Sequence, residues 1–121
     1  MKTPVGFEIA RLLTYTNFNQ RSVDVGYTVS TKELSFDYPL EYTNRKAIAA
    51  PNIAEVVMWL EDKHYIWISV LCDCGNENLF TFKIYSTEPG EESCLFNGEN
   101  YNLPTEAYLA AIEYTLKQII L

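Results

Sequence analysis

The most regular pattern of apolar and polar positions in the chain runs from Thr105 to Leu121. Positions on one side recur at steps of three and four residues, whereas Glu106, Glu113 and Lys117 fall on the other side. This spacing predicts an amphipathic helix that packs on a sheet or on another helix. Pro104 suits its first position, because its φ is already helical and an N–H there would have no partner. The inward positions are Tyr108, Ala111, Ile112, Thr115, Leu116 and Ile119.

Two shorter helices are predicted by the same spacing. Residues Phe7 to Thr14 form the first, with Pro4 near its start. Pro51 begins the second, Asn52 to Lys63. The apolar stripe is Ile9, Leu12 and Leu13 in the first helix and Ile53, Val56, Val57 and Leu60 in the second, where Met58, Trp59, Glu61 and Asp62 flank it.

Alternating apolar and polar residues predict two hairpins. In the first hairpin the strands are Val23 to Ser30 and Lys32 to Tyr38, and the short connection between them indicates antiparallel pairing. The second hairpin joins Tyr65–Cys72 to Leu79–Ser86. The inward set of the first is Val23, Val25, Tyr27, Val29, Leu34, Phe36 and Tyr38, and that of the second is Ile66, Ile68, Val70, Cys72, Phe80, Phe82 and Ile84.

The remaining segments are predicted to be irregular. Glu41 to Ala50 shows no clear period, and Thr87 to Leu103 has the length of a functional or mobile loop. The order of elements is therefore α-β-β-α-β-β-α. We expect an α+β fold with a single antiparallel four-stranded sheet of two hairpins and three helices mostly on one face.

Composition limits the classes of function. A chain of 121 residues that is 48% hydrophobic supports one core, so residues 1–121 are predicted to form a single domain. No apolar run approaches the ~20 residues that cross a bilayer, and Glu8 and Arg11 interrupt the segment where a signal peptide would be apolar. Three cysteines are too few for a disulfide framework. We expect a cytoplasmic protein.

The net charge of −7 is concentrated in the second part of the chain. Residues 1–72 hold eight acids against seven bases, a net of −1, and residues 73–121 hold eight acids against two bases, a net of −6. This balance argues against direct nucleic-acid binding and against an anionic membrane, since both rely on clustered Lys and Arg. An acidic inhibitor that mimics nucleic acid stays open as an alternative.

Three segments carry a resemblance to a known group. They are FEIARLL near the start, AAPNIAEVVMWLEDKHYIWISV in the middle and LPTEAYLAAIEYTLKQII at the end. With the two-strand hairpin that continues from the middle segment, they cover about half of the chain, which resembles small uncharacterised proteins of gut Bacteroidales genomes and their prophages or mobile elements. Asn52 departs from the threonine that is commoner after the proline in that group. The resemblance implies a mobile-element origin and no established activity.

Candidate chemistry is sparse. His64 follows a helix end where it can act as a cap, and the sequence supplies no signature of a Cys-His catalytic pair. Cys72 and Cys74 could join Cys94 and His64 around a metal, but this spacing matches no common zinc site. We therefore predict no catalytic residue, no metal and no cofactor, and we expect buried, reduced thiols.

The outward face of the second hairpin is the candidate site. Its aromatic and polar side chains are typical of a partly open surface, and Tyr65, Trp67, Lys83 and Tyr85 are the predicted partner-binding residues. The sequence favours a small non-enzymatic binding or adaptor protein of a mobile element that acts through an unknown protein partner or through self-association. The acidic mimic and an unrecognised enzyme are the alternatives.

Overall fold

A computed structural model describes residues 3–19, 25–29, 31–36, 47–73 and 79–120 of the chain. Within these ranges, helices and strands follow one another in the order α-β-β-β-α-β-β-β-α. The elements are α1 (Phe7–Leu13), β1 (Val25–Thr28), β2 (Leu34–Phe36), β3 (Ala47–Ala49), α2 (Ile53–His64), β4 (Ile66–Asp73), β5 (Leu79–Ser86), β6 (Ser93–Tyr101) and α3 (Pro104–Ile120).

The strands form two antiparallel sheets, ordered β2-β1-β3 and β4-β5-β6. The α+β class and both predicted hairpins are confirmed, but the single four-stranded sheet is wrong. The hairpins do not pair with each other because β3 occupies the free edge of β1, with Gly26 opposite Ala49, and β6 occupies the free edge of β5. Each hairpin therefore acquires a third strand of its own.

Strand β6 replaces the predicted loop between Thr87 and Leu103. It pairs with β5 from Ser86↔Ser93 to Phe80↔Tyr101, and the register shifts twice, between Phe80 and Phe82 and between Ile84 and Tyr85. Such bulges place extra residues in one strand and break the alternation of side chains. The period-two pattern that would identify a strand is consequently missing from this part of the sequence.

The core lies on the inner face of the second sheet. Ile68, Phe82 and Ile84 are each 2% exposed or less, as the predicted alternation requires. Helix α3 contacts all three strands of this sheet, whereas α2 contacts β4, and α1 contacts α3 and β3. The helices contribute Ile9, Leu12, Leu13, Ile53, Val56, Val57, Leu60, Ala107, Ala111, Ile112 and Leu116 to one buried cluster.

Helix α2 has well-defined ends. Asn52 is its N-cap, and the side-chain oxygen of Asn52 accepts a hydrogen bond from the backbone N–H of Glu55 at 2.8 Å. At the other end Tyr65 adopts a left-handed conformation, and its N–H donates to the carbonyl of Leu60. The left-handed residue turns the chain directly from α2 into β4.

The start of the described chain is tied to the entry of α2. Val5 N–H donates to the carbonyl of Pro51 at 2.9 Å, and Ile53 N–H donates to the carbonyl of Thr3 at 3.0 Å. The hydroxyl of Tyr27 on β1 donates to the carbonyl of Val5 at 2.8 Å. These bonds connect the first sheet to the amino-terminal segment and α2.

Three residues assigned to the inward faces are exposed instead. Val29 and Leu34 are each 42% exposed, because the first sheet is small and Tyr27 and Ile48 supply its partly buried contacts with the core. Cys72, opposite Phe80 near the end of the second hairpin, is also exposed. Val23 and Tyr38, the side chain of Phe36, the segment Glu41–Lys46 and the terminal Leu121 lie outside the described residues.

Candidate partner-binding face

The outward face of the second sheet brings together three of the four predicted site residues. Trp67 on β4 lies directly opposite Tyr85 on β5, and Ser69 lies opposite Lys83 in the same register. Directly opposed residues of an antiparallel pair project from the same face at Cβ separations of ~4.5–5.5 Å. Trp67, Tyr85 and Lys83 therefore lie near one another on one face, as expected from the predicted hairpin.

The fourth predicted residue, Tyr65, sits at the margin of this face. It precedes β4 and caps α2 with φ 55° and ψ 40°, so it does not continue the alternation of the strand. Its carbonyl accepts a hydrogen bond from the N–H of Thr87 at 2.7 Å, which fixes its backbone beside the end of β5. The side chain of Tyr65 is 51% exposed.

Strand β6 extends the outward face beyond the prediction. Cys94 lies opposite Tyr85, and Asn97 lies opposite Lys83. The thiol of Cys94 is 3.4 Å from the side-chain oxygen of Asn97. The sequence did not place either residue on this face, because the bulge between Ile84 and Tyr85 hides the alternation of β6.

Trp67 and Tyr85 form part of an open depression of about 480 Å³. The rest of its lining comes from the end of β5, the start of β6 and the segment between them, namely Ser86, Thr87, Glu92, Ser93 and Cys94. The hydroxyl of Thr87 is buried there and has no hydrogen-bond partner among the described residues. Trp67 is 43% exposed and Leu71, further along the same face, is 50% exposed.

A second open depression, of about 710 Å³, is also bordered by Trp67. We call it the α2 groove. It is lined by Phe18, Asn19, Glu55, Met58, Trp59, Glu61, Asp62 and Trp67. The sequence placed Met58 and Trp59 beside the apolar stripe of α2 but did not connect them with Trp67. Their apolar character off the buried stripe indicates an exposed apolar surface on α2, but it does not identify the segment that lies beside it.

The aromatic rings of the α2 groove are held by contacts with one another. Phe18 meets Trp59 edge-to-face with ring centroids 5.4 Å apart, and Trp59 meets His64 at 4.8 Å. Trp59 also packs against the core cluster, whereas Met58 is 68% exposed. The groove therefore has a rigid aromatic floor and a flexible thioether at its rim.

His64 is predicted to cap helix α2, but the structure gives it a different contact. It is the last residue of α2, as capping requires, but the residue that closes the helix is Tyr65. The imidazole packs on Trp59 instead, and its Nε2 atom is buried with no hydrogen-bond partner among the described residues. His64 thus supports the aromatic floor of the α2 groove.

The cysteines are not arranged as the metal hypothesis needs. Cys72 lies opposite Phe80 on the inner face, whereas Cys94 lies opposite Tyr85 on the outer face and near the other end of β5. Five residues of strand, about 16 Å at ~3.3 Å per residue, separate these two positions. Both thiols are exposed, so the expectation of burial is wrong for them, and Cys74 lies outside the described residues. No group of three or more ligands that could hold a metal occurs in the described part of the chain.

Comparison with known proteins finds no similar protein. The chain matches no protein-family model, no curated protein and no solved structure. None of the described helices has the length and apolar character needed to cross a bilayer. The outward face and the α2 groove are therefore the features from which a function is inferred.

Proposed function

We propose that this protein is a small non-enzymatic binding or adaptor protein that engages another protein through the outward face of its second sheet. The observation that carries the proposal is the cross-strand pair of Trp67 and Tyr85 on the face opposite the buried residues Ile68, Phe82 and Ile84, where Trp67 is 43% exposed. Trp and Tyr are enriched at the energetic centres of interfaces, because each buries a large rigid area and keeps a polar edge. The adjoining depression offers a concave surface for a side chain of the partner.

A purely structural role is the competing explanation for this pair. Cross-strand aromatic pairs stabilise a hairpin by roughly 0.2–1 kcal/mol even where nothing binds to them. Trp67 nevertheless remains 43% exposed, Leu71 on the same face is 50% exposed, and Tyr65 at the margin is 51% exposed. A cluster of large, half-exposed apolar side chains at one site is typical of an interaction surface.

The cellular setting is part of the same proposal. We place the protein in the cytoplasm, and a mobile-element origin is what the resemblance of the three sequence segments implies. The partner is then another protein of the element or of its host, or a second copy of this chain.

The double substitution Trp67→Ser with Tyr85→Ser tests the proposal. We expect it to abolish association with the partner, or dimerisation measured by analytical ultracentrifugation, while the free energy of unfolding stays within about 1 kcal/mol of the parent, as at exposed sites. Tyr15→Ser is the matched control, because Tyr15 is 66% exposed and lies outside this face. Intact binding together with a large loss of stability would show that the pair serves the fold alone.

A further inference from the structure

The α2 groove combines aromatic surface with negative charge. Its floor and walls are formed by Phe18, Trp59 and Trp67, and Met58 lies at its rim. Every charged side chain among the described residues that line it is a carboxylate, namely Glu55, Glu61 and Asp62. Lys63 stands close by, but its ammonium group is 3.5 Å from the carboxylate of Asp62 and is paired with it.

This combination matches the chemistry of a basic side chain. The face of an indole ring attracts a cation within ~6 Å of its centroid, and tryptophan does so better than the other aromatic residues. The long aliphatic stems of Lys and Arg pack on apolar surface while their charged ends reach polar groups. An aromatic floor with carboxylates along one side satisfies both parts of such a side chain.

We propose that the α2 groove binds a segment of a partner protein in which an arginine or lysine stands next to apolar residues. The cationic group would lie over Trp59 or Trp67 and face Glu61 and Asp62, and an apolar neighbour would contact Met58 and Phe18. A nucleic acid or an acidic peptide would meet repulsion from the same carboxylates.

This inference rests on the proposed function, because it assumes a protein partner and because Trp67 borders both the depression on the outward face and the α2 groove. It adds the charge of the partner and a second contact region on α2. Tyr85 lies opposite Trp67 on the outward face and does not line the α2 groove. A substitution at Tyr85 therefore separates the two ideas.

The two tryptophans make the test direct. The chain contains only Trp59 and Trp67, and both line the α2 groove, so its two indole N–H resonances report on this place. The probe is a synthetic heptapeptide with one central arginine between two leucines, flanked by glycine and serine. The matched peptides carry citrulline, which keeps the shape without the charge, or glutamate at the same position.

With the arginine peptide we expect saturable shifts of both indole resonances. The citrulline peptide should bind about 3- to 10-fold more weakly, on the scale of a partly desolvated cation over an aromatic ring, and the glutamate peptide should cause no shift. The protein variant Glu61→Gln with Asp62→Asn should lower the affinity for the arginine peptide by a similar factor. The variant Glu33→Gln with Glu106→Gln removes the same total charge from exposed positions elsewhere and should bind like the parent.

Each contrary result overturns a definite part of the inference. Equal binding of the arginine and citrulline peptides would show that the groove does not recognise charge. Equal loss in both pairs of charge variants would assign the effect to the net charge of −7 rather than to the groove. A shift of Trp67 alone that is lost in Tyr85→Ser would place the peptide on the outward face, which would refute the groove and leave the proposed function standing.

Discussion

The aromatic ring of Phe82 lies against the backbone of Gly98 on the neighbouring strand. The two residues are opposite each other in the register of β5 and β6. A Cβ atom added at Gly98 would fall 2.8 Å from Cδ2 of Phe82 and closer still to Cε2 and Cζ. The absence of a side chain at position 98 thus allows the buried ring to lie flat against β6.

Gly98→Ala should therefore destabilise the protein. Phe82 is 2% exposed and packed in the core, so it cannot move aside, and overpacking of this kind costs ~1–3 kcal/mol. Urea unfolding measures the change. Gly6→Ser is the control, because a Cβ there meets nothing within 4 Å and serine is at least as good as glycine at this N-cap of α1, so the stability should change by only a few tenths of a kcal/mol.

The substitution Phe82→Leu tests whether a clash with the Phe82 ring causes the loss of stability in Gly98→Ala. If the methyl group at position 98 clashes with the ring, the two substitutions together should cost less than the sum of the single changes, by ~0.5 kcal/mol or more. Additive costs would mean that Gly98→Ala acts through the backbone of β6 and not through Phe82.

The close approach of Phe82 and Gly98 also explains why the sequence concealed β6. A glycine and several polar residues interrupt SCLFNGENY, and two bulges limit the regular alternation to the stretch from Phe96 to Gly98. By contrast, β4 and β5 each pair over eight residues, so the alternation of Ile68 and Phe82 identified their inner face. The alternation of apolar and polar residues identifies a strand where the pairing is regular. It does not identify a strand whose geometry is set by bulges and by contacts with the neighbouring strand.

The same contrast holds for the candidate site. The pairing of Trp67 with Tyr85 followed from the predicted hairpin, because both lie at alternating positions of regular strands. The α2 groove could not be predicted, since it requires Trp67 to meet Phe18 and Trp59 from two other segments. Contacts between distant segments depend on how the helices dock on the sheet.

The core assignment yields the second prediction. Ile68 is 1% exposed and Leu116 is fully buried in the same cluster. Truncation of either residue to alanine removes apolar contacts and leaves a cavity, at a cost of ~2–5 kcal/mol. Thermal melts of the two variants measure this loss of stability. Leu71→Ala is the control, because Leu71 is half exposed, and its melting temperature should lie close to that of the parent. Near-native melting of both core variants would show that the inner face has been misidentified.

The N-cap of α2 provides the third prediction. Asn52 accepts the N–H of Glu55 at 2.8 Å, and Asn52→Ala leaves this group without its side-chain partner. The expected loss of stability is ~0.5–2 kcal/mol in chemical denaturation. Asn52→Thr and Asn52→Asp retain an acceptor at the same position and should keep most of the stability. An equal loss in all three variants would assign the effect to the bridge between Pro4 and Asn52 instead.

The last prediction concerns alkaline pH and Tyr27. Burial raises the pKa of the Tyr27 phenol above its ordinary value of 10.0, and its hydroxyl donates to the carbonyl of Val5. The folded protein therefore keeps this proton over a pH range in which the unfolded chain releases it. The stability that the protonated hydroxyl contributes is complete below about pH 10 and is lost as the pH rises through the raised pKa.

Tyr27→Phe isolates this contribution, because the other eight of the nine tyrosines are common to both proteins. Below pH 10 the parent should be more stable than the variant by about 1 kcal/mol, the usual net worth of one hydrogen bond. The difference should shrink as the pH rises further, since the parent must then ionise a partly buried phenol or unfold. Urea titrations at pH 8, 9, 10 and 11 measure it, with Tyr15→Phe as the exposed control. A difference that stays constant up to pH 11 would show that the hydroxyl of Tyr27 is accessible to solvent and that its bond to Val5 does not hold the first sheet to the core.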